Sequence, residues 1–103
     1  MFGKNKEKRK MKQKVISLHG QAIRYVTERI NDNDDVIGRG GSITVTDTEL
    51  LVFASGEIIF RAKIESVKAS NLLSGDGVVL SAPDLIHNGE NRTVIAYFVY
   101  YRK

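Results

Sequence analysis

Residues 42–61 constrain the fold more than any other stretch, because they contain three short apolar runs separated by two turn signals. Ile43 and Val45 alternate with threonines, which is the period-2 pattern of a half-buried strand. Asp47 and Thr48 interrupt the pattern, and short polar side chains that bond nearby backbone are typical of turns. Gly56 supplies the second turn, since glycine adopts positive φ without steric cost. The stretch predicts three strands of an antiparallel meander.

Further strands are predicted on the C-terminal side of this meander. Residues 78–80 form a short buried run, and Pro83 either ends that strand or places it at a sheet edge. Residues 87–91 are a turn signal with Asn-Gly at their centre. Residues 92–101 are the longest strand candidate and are apolar or aromatic on both faces, so both faces should be covered. Six to eight strands with little helix predict a mainly β fold, a small antiparallel barrel or sandwich.

Two segments have mixed patterns. In residues 13–30, four apolar residues fall at helical spacing, but Gly20 would cost about 1 kcal/mol in the middle of a helix. The same segment is rich in β-branched residues, which slightly favours a hairpin that turns at His19 and Gly20. Residues 62–69 fit either one helical turn or a continued strand.

The acidic run at residues 31–35 is typical of a solvated loop. It does not have the spacing of a calcium-binding EF-hand loop, because Val36 and Ile37 occupy positions where a ligand and glycine are needed. The following glycine-rich run, residues 38–41, lacks the Gly-Lys-Ser/Thr of a phosphate-binding loop. We expect Gly40 and Gly41 to let the chain turn sharply before the strand at residue 42.

The charge is unevenly distributed along the chain. The net charge is +4, yet residues 1–14 hold seven of the 16 basic residues and only one of the 12 acidic residues. The remaining 89 residues therefore form a mildly acidic body. We expect residues 1–12 to be a disordered basic tail and residues 13–103 to be a single β-rich domain. The candidate polyanion-binding residues are Lys4, Lys6, Lys8, Arg9, Lys10, Lys12 and Lys14.

The sequence carries no signature of catalysis or of a resident cofactor. It has no cysteine, so disulfides and thiolate metal sites are excluded, and it has only two histidines. Ser74, Asp76 and His87 can be grouped on paper as a triad, but no Gly-x-Ser-x-Gly elbow supports them. Asp47 and Glu49 can likewise be paired as carboxylates. We expect a protein that is not an enzyme and that has no cofactor or metal. With no signal peptide and no apolar run of roughly 20 residues, we expect a cytoplasmic location.

The segment Gly41-Ser42-Ile43-Thr44-Val45-Thr46-Asp47, followed by Glu49-Leu50-Leu51-Val52-Phe53, resembles the opening of bacterial pleckstrin-homology-like and GRAM-like domains. The segment Ile64-Glu65-Ser66-Val67 is similar to the Ile-x-x-Val step of those domains, so the resemblance covers residues 41–68. It implies a small PH-like barrel. Those domains usually end in a helix that plugs one end of the barrel, whereas this chain lacks that C-terminal helix. Another element would then have to act as the plug.

The function predicted from these patterns is a non-catalytic interaction module that binds a protein partner or itself. The aromatic residues of the last strand, apolar on both faces, suggest a homodimer interface formed by Tyr97, Phe98, Tyr100 and Tyr101. The alternative is association with nucleic acid or an anionic membrane through the basic N-terminal residues.

Overall fold

The computed structural model describes the backbone of residues 2–99 and the side chains of residues 9–99. One α-helix and seven strands follow one another along the chain. They are α1 (Phe2–Ile16), β1 (Ala22–Ile30), β2 (Asn33–Val45), β3 (Glu49–Ala54), β4 (Glu57–Lys63), β5 (Lys68–Asn71), β6 (Gly77–Asp84) and β7 (Glu90–Phe98). Two short 3₁₀ turns, Ile64–Ser66 and Leu85–His87, follow β4 and β6.

The seven strands form one sheet in the order β4-β3-β2-β1-β7-β6-β5, and every neighbouring pair is antiparallel. The sheet curls into a half-barrel around a core of aliphatic side chains and Phe60. The prediction of a mainly β, small antiparallel fold is confirmed. The meander of residues 42–61 is present, with turns at residues 46–48 and 55–56.

The prediction of a loop at residues 31–35 is wrong beyond its first two residues. Asn31 and Asp32 alone make the turn, with φ of 49° and 67°, and β2 already begins at Asn33. Two consecutive residues with positive φ make the kind of hairpin turn that matches strand twist, and asparagine and aspartate tolerate this conformation. The acidic residues after the turn therefore pair with β1, and Arg29 binds Asp34 across the hairpin at 3.1 Å.

The sharp turn expected at Gly40 and Gly41 is also absent, because β2 continues through both residues. A Cβ placed on Gly41 would lie 1.8 Å from the carbonyl oxygen of Phe53 on β3. A Cβ on Gly38 would lie 2.6 Å from the Cβ of Ala54. The glycines thus permit close approach of β3 to β2, and Gly40, with φ of 64°, is the position that adopts the left-handed conformation.

The ambiguous residues 13–30 are part helix and part strand. α1 ends at Ile16, a turn follows, and β1 begins at Ala22, so the hairpin strand expected before His19 is not formed. Gly20 lies in the turn with φ of 84°, where the mid-helix penalty does not apply. Residues 62–69 are likewise divided between the end of β4, a 3₁₀ turn and the start of β5.

The N-terminal residues differ from the disordered tail expected over residues 1–12. Within the described chain, their backbone belongs to α1, which runs into the domain without a break. Val15 is fully buried in the core and Met11 packs against the core from the preceding turn of the helix. Side chains four positions apart lie on one helix face, so Met11 and Val15 both anchor the C-terminal half of α1 on the barrel.

The substitution Gly41→Ala tests the close approach of β2 and β3. Its methyl group would overlap the Phe53 carbonyl, and the backbone must move to relieve the overlap. We expect a loss of about 3 kcal/mol in the free energy of unfolding, measured by chemical denaturation. Ser42→Ala, at a neighbouring position that already carries a Cβ, is the matched control and should cost much less. Equal stability of both variants would contradict the account.

Candidate functional site

The C-terminal half of α1 is fixed to one end of the half-barrel. Val15 and the following Leu18 enter the core cluster that also holds Val67 and Ala69. The amide of Ala69 on β5 donates a hydrogen bond to the Sδ atom of Met11 at 3.3 Å. α1 therefore covers β5, which is an edge strand of the sheet. The resemblance to PH-like and GRAM-like domains itself stays a prediction.

The turn after α1 is held against β2, which fixes the direction of the helix. The amide of Gly20 donates to the Ile43 carbonyl at 2.8 Å, and the amide of Ile43 donates to the Gln21 carbonyl at 3.0 Å. The amide of Val45 donates to the Nδ1 atom of His19 at 2.9 Å. Because Nδ1 accepts, the exposed ring of His19 carries its hydrogen on Nε2 when it is neutral.

Arg9, Lys10 and Lys12 lie off the face of α1 that docks on the domain. Successive residues of an α-helix are rotated by about 100°, so Arg9 points roughly opposite to Met11 and Val15. Lys10 and Lys12 fall on the two flanks between these directions. All three basic side chains are exposed. We call Arg9, Lys10 and Lys12 the basic face of α1.

The remaining candidate polyanion-binding residues are placed differently. Lys14 is only partly exposed, because it lies close to the docked end of the helix. The side chains of Lys4, Lys6 and Lys8 lie outside the described part of the chain. Lys63 and Lys68 are exposed on either side of the 3₁₀ turn that α1 contacts. Sequence reasoning missed these two residues, because they are about 50 positions from α1 and carry no local signal.

An open groove of about 550 Å³ lies beside α1, between the helix and the turn that joins β2 to β3. Lys12 and Asp47 both line it, so a positive and a negative charge at its rim offset each other. His19 and the half-exposed Ile16 also border the groove. The groove is therefore not an electropositive pocket. Among the exposed cations of α1, Lys12 lies at the rim of the groove, and Arg9 lies on the outer surface of the helix.

A second polar cluster closes the barrel next to β4, the other edge strand. Arg92 on β7 forms two hydrogen bonds to the carboxylate of Glu28 on β1, at 2.6 and 2.8 Å. Its Nη1 atom also donates to Asp84 at 2.5 Å and to the carbonyl of Ile59 on β4 at 3.2 Å. Asp84 is fully buried and accepts the amide of Arg61 at 3.2 Å. Side chains from β6 and β7 thus bind the free edge of β4, and Glu28 of β1 holds Arg92 in place.

The ionised forms of this cluster are stabilised in the folded protein. The bidentate contact with Arg92 lowers the pKa of Glu28 more than partial burial raises it. Burial acts to raise the pKa of Asp84, but its hydrogen bonds with Arg92, with the amides of Ile86 and Arg61, and with His87 outweigh burial, and that pKa is lowered. The pKa of Arg92 is raised, chiefly by its hydrogen bonds to Glu28. The shifts favour the charged forms of all three residues in the folded protein.

The groups that the sequence allowed to be combined for catalysis are not brought together. Ser74 donates to Asp76, which precedes β6, whereas His87 follows β6 and contacts Asp84 at its other end. Glu49 does not share a site with Asp47 and is bound by Arg61 at 2.8 Å. Among the described side chains, those of residues 9–99, no three histidine, aspartate or glutamate residues are grouped as metal ligands.

The predicted interface residues of the last strand are only partly described. Phe98 packs against the core, and the ring of Tyr97 stacks on Tyr25 with centroids 4.4 Å apart. Ile95, on the opposite face of β7 from the core, is fully buried beside this stack. Burial raises the pKa of the Tyr97 phenol. Tyr100 and Tyr101 lie outside the described residues.

The argument from an uncovered terminal strand does not hold for β7. This strand lies between β1 and β6, with both neighbours hydrogen-bonded to it, so it offers no free edge for pairing with a second copy. On its outer face Ile95 is buried, and Tyr97 stacks on Tyr25 of β1. A homodimer therefore stays a prediction that depends on other surfaces.

Comparisons of the chain with known proteins do not assign it to a family. No protein-family model, curated protein or solved structure matches the chain. In the described part of the chain, no helix is both long enough and apolar enough to span a membrane.

The anchoring of α1 is tested by truncating its buried and exposed apolar side chains in turn. Val15→Ala removes two methyl groups from a fully buried site, and we expect it to lower the free energy of unfolding by about 2 kcal/mol. Ile16→Ala, on the adjacent residue that is 44% exposed, should have a much smaller effect. Thermal and urea unfolding measure both. Equal effects would show that the helix is not docked as described.

The ionic cluster predicts a loss of stability in acid. The pKa values of Glu28 and Asp84 are lower in the folded protein than in the unfolded chain, where they are near 4. The two carboxylates therefore stabilise the fold fully above about pH 4, and this contribution is lost as the pH falls through their folded-state pKa values. Arg92→Met leaves two carboxylates without their cation and should cost about 3 kcal/mol at pH 7. Arg61→Met, which breaks an exposed pair, is the control and should cost far less. Urea unfolding, repeated at several pH values from 7 to 2, measures the free energy of unfolding of each variant. An Arg92→Met variant as stable as the wild type at pH 7 would refute the account of the cluster.

Proposed function

We propose that this chain is a non-catalytic, cytoplasmic interaction module whose β-domain presents the basic face of α1 to an anionic partner. The observation that supports it most is the arrangement of α1. Its apolar residues Met11 and Val15 dock the helix and leave three cations exposed. Arg9 lies on the opposite side of the helix, and Lys10 and Lys12 lie on its flanks.

Docking changes what the basic residues can do. In a flexible segment, the cations would each lose conformational freedom on binding, at a cost of about 1–2 kcal/mol per residue ordered. On a helix that is already packed against the barrel, their relative positions are set before the partner arrives. Preorganisation therefore supports affinity at a surface whose individual ion pairs are weak.

The distribution of charge over the rest of the molecule favours the same surface. The body beyond residue 14 has more acidic than basic residues, so it does not attract anions as a whole. Several of its arginines are already bound to carboxylates, among them Arg29, Arg61 and Arg92. An anionic partner is thus directed to α1 and to the adjacent Lys63 and Lys68.

Binding to heparin, a polyanion without bases or lipid, tests the proposal. We expect retention on immobilised heparin at low salt and elution as salt rises, because the contacts are electrostatic. The triple variant Arg9→Gln/Lys10→Gln/Lys12→Gln should elute at a clearly lower salt concentration. Glutamine keeps a good helix propensity, so the fold should survive.

Arg39→Gln is the matched control for a single charge, to be compared with Lys12→Gln. Arg39 is exposed on β2 and lies outside α1. Equal shifts for these two single variants would mean that only net charge matters. That result, or absence of retention at low salt, would contradict the proposed function.

A further inference from the structure

We infer that residues 34–37 of β2, the free edge of β2, bind a basic, extended segment of a partner protein as an additional antiparallel strand. This surface does not involve α1, so the inference goes beyond the proposed function. β2 is longer than its neighbour β3, which pairs only with residues 41–45 of β2. In the turn after β3, Ser55 is bonded to the backbone of Arg39 and Gly40. Within the described chain, no strand pairs with the β3 side of the free edge.

The backbone groups of Asp34 and Val36 point outward from the free edge. Ile30 and Asn33 flank the two-residue turn and face each other in the register, so their backbone groups bond to one another. Backbone direction alternates along a strand, so Asp34 and Val36 direct their N–H and C=O groups away from β1. Both residues are exposed, Val36 to 48%. An extended peptide that adds to a sheet binds such outward backbone groups.

The side chains around the free edge favour a basic occupant. Residues 28–36 hold four acidic residues and one basic residue. Asp35 is exposed and lies directly opposite Glu28 in the register, where like charges are destabilising. Glu28 is bound by Arg92, whereas within residues 9–99 no cation is paired with Asp35.

An added strand can supply the missing cation. Its residue opposite Asp35 would form a non-hydrogen-bonded pair, in which side chains approach most closely. A lysine or arginine at that position would neutralise Asp35. Val36 lies on the other face of β2 and is half exposed, so it suits an apolar neighbour. The matching segment therefore alternates basic and apolar residues.

A second copy of this chain is a poor occupant of the free edge. An antiparallel pairing of two copies centred on Asp35 sets two carboxylates directly opposite each other, which destabilises the pair. A pairing centred on Val36 extends to Arg39, whose amide and carbonyl are already bonded to Ser55. Acidic side chains on the edge thus oppose self-pairing, and they attract a strand of opposite charge.

The experiment measures binding of the full chain to the fluorescein-labelled peptide Thr-Lys-Val-Lys-Val-Lys-Thr by fluorescence anisotropy. With its central lysine opposite Asp35, the two valines lie opposite Asp34 and Val36 and direct their N–H groups toward β2. N-methylation of both valines removes these donors and should abolish binding. N-methylation of the lysines that flank them is the matched control, because those N–H groups point away from β2. A peptide with glutamate in place of lysine should not bind.

Variants of the protein and amide exchange locate the peptide. Asp35→Asn should weaken binding by about two- to fivefold, as expected for the loss of one exposed ion pair. Glu65→Gln, which removes an exposed acid in the 3₁₀ turn after β4, should leave binding unchanged. In NMR spectra, the amides of Asp34 and Val36 should exchange more slowly with solvent when the peptide is bound. The amide of Arg39, already bonded to the hydroxyl of Ser55, should change little.

Three results would overturn the inference. The first is equal binding of the two N-methylated peptides, which would show attraction by charge without strand pairing. The second is an equal effect of Asp35→Asn and Glu65→Gln, or protection of amides elsewhere than at the free edge. The third is no binding at millimolar peptide, which would leave the acidic residues with the role of preventing edge pairing alone. None of these results changes the expected binding of heparin to α1, so the two proposals are tested separately.

Discussion

The structure depends on how the two edges of its curled sheet are closed. A seven-stranded sheet that does not complete a barrel leaves unpaired amide and carbonyl groups on β4 and β5, and such edges invite pairing with other chains. On β4, Asp84 accepts the amide of Arg61 and Arg92 donates to the carbonyl of Ile59. On β5, the Sδ atom of Met11 accepts the amide of Ala69. Charged side chains at one edge and a docked helix at the other thus take the role of strand partners.

These two closures have different consequences for function. The Glu28–Arg92–Asp84 cluster is internally bonded and largely buried, so its charges are used within the fold and are not available to a ligand. The closure by α1 uses a narrow apolar stripe, and it leaves the rest of the helix surface exposed with its cations. The requirement to cover β5 therefore fixes a basic helix in one orientation on a mildly acidic body. The surface proposed for binding is a direct result of how the edge is closed.

Local patterns predicted the meander of residues 42–61, because strand alternation and turn residues are set by near neighbours in the sequence. The turn expected at Gly40 and Gly41 is absent, because Gly41 is required by the close approach of Phe53 on another strand. The docking of α1 depends on two apolar residues among many lysines, a stripe too narrow to stand out from a charged segment. Glu28 and Arg92 are 64 positions apart, so nothing local indicates that they bind each other. Counting charge finds the basic residues, but only the phase of the helix shows that Arg9 faces away from the domain while Lys10 and Lys12 lie on the flanks.

The central claim is that α1 is packed on the barrel. NMR of the full chain, labelled with carbon-13 and nitrogen-15, tests this most directly. The Cε methyl group of Met11, which is bonded to Sδ, should show a nuclear Overhauser effect to the amide proton of Ala69. The Cα chemical shifts of residues 9–16 should have the values typical of a helix. The amides of the last turns of α1 should exchange with solvent as slowly as those of β5. Random-coil shifts over residues 9–16, with no contact between Met11 and Ala69, would contradict the account, because the basic residues would then belong to a free segment.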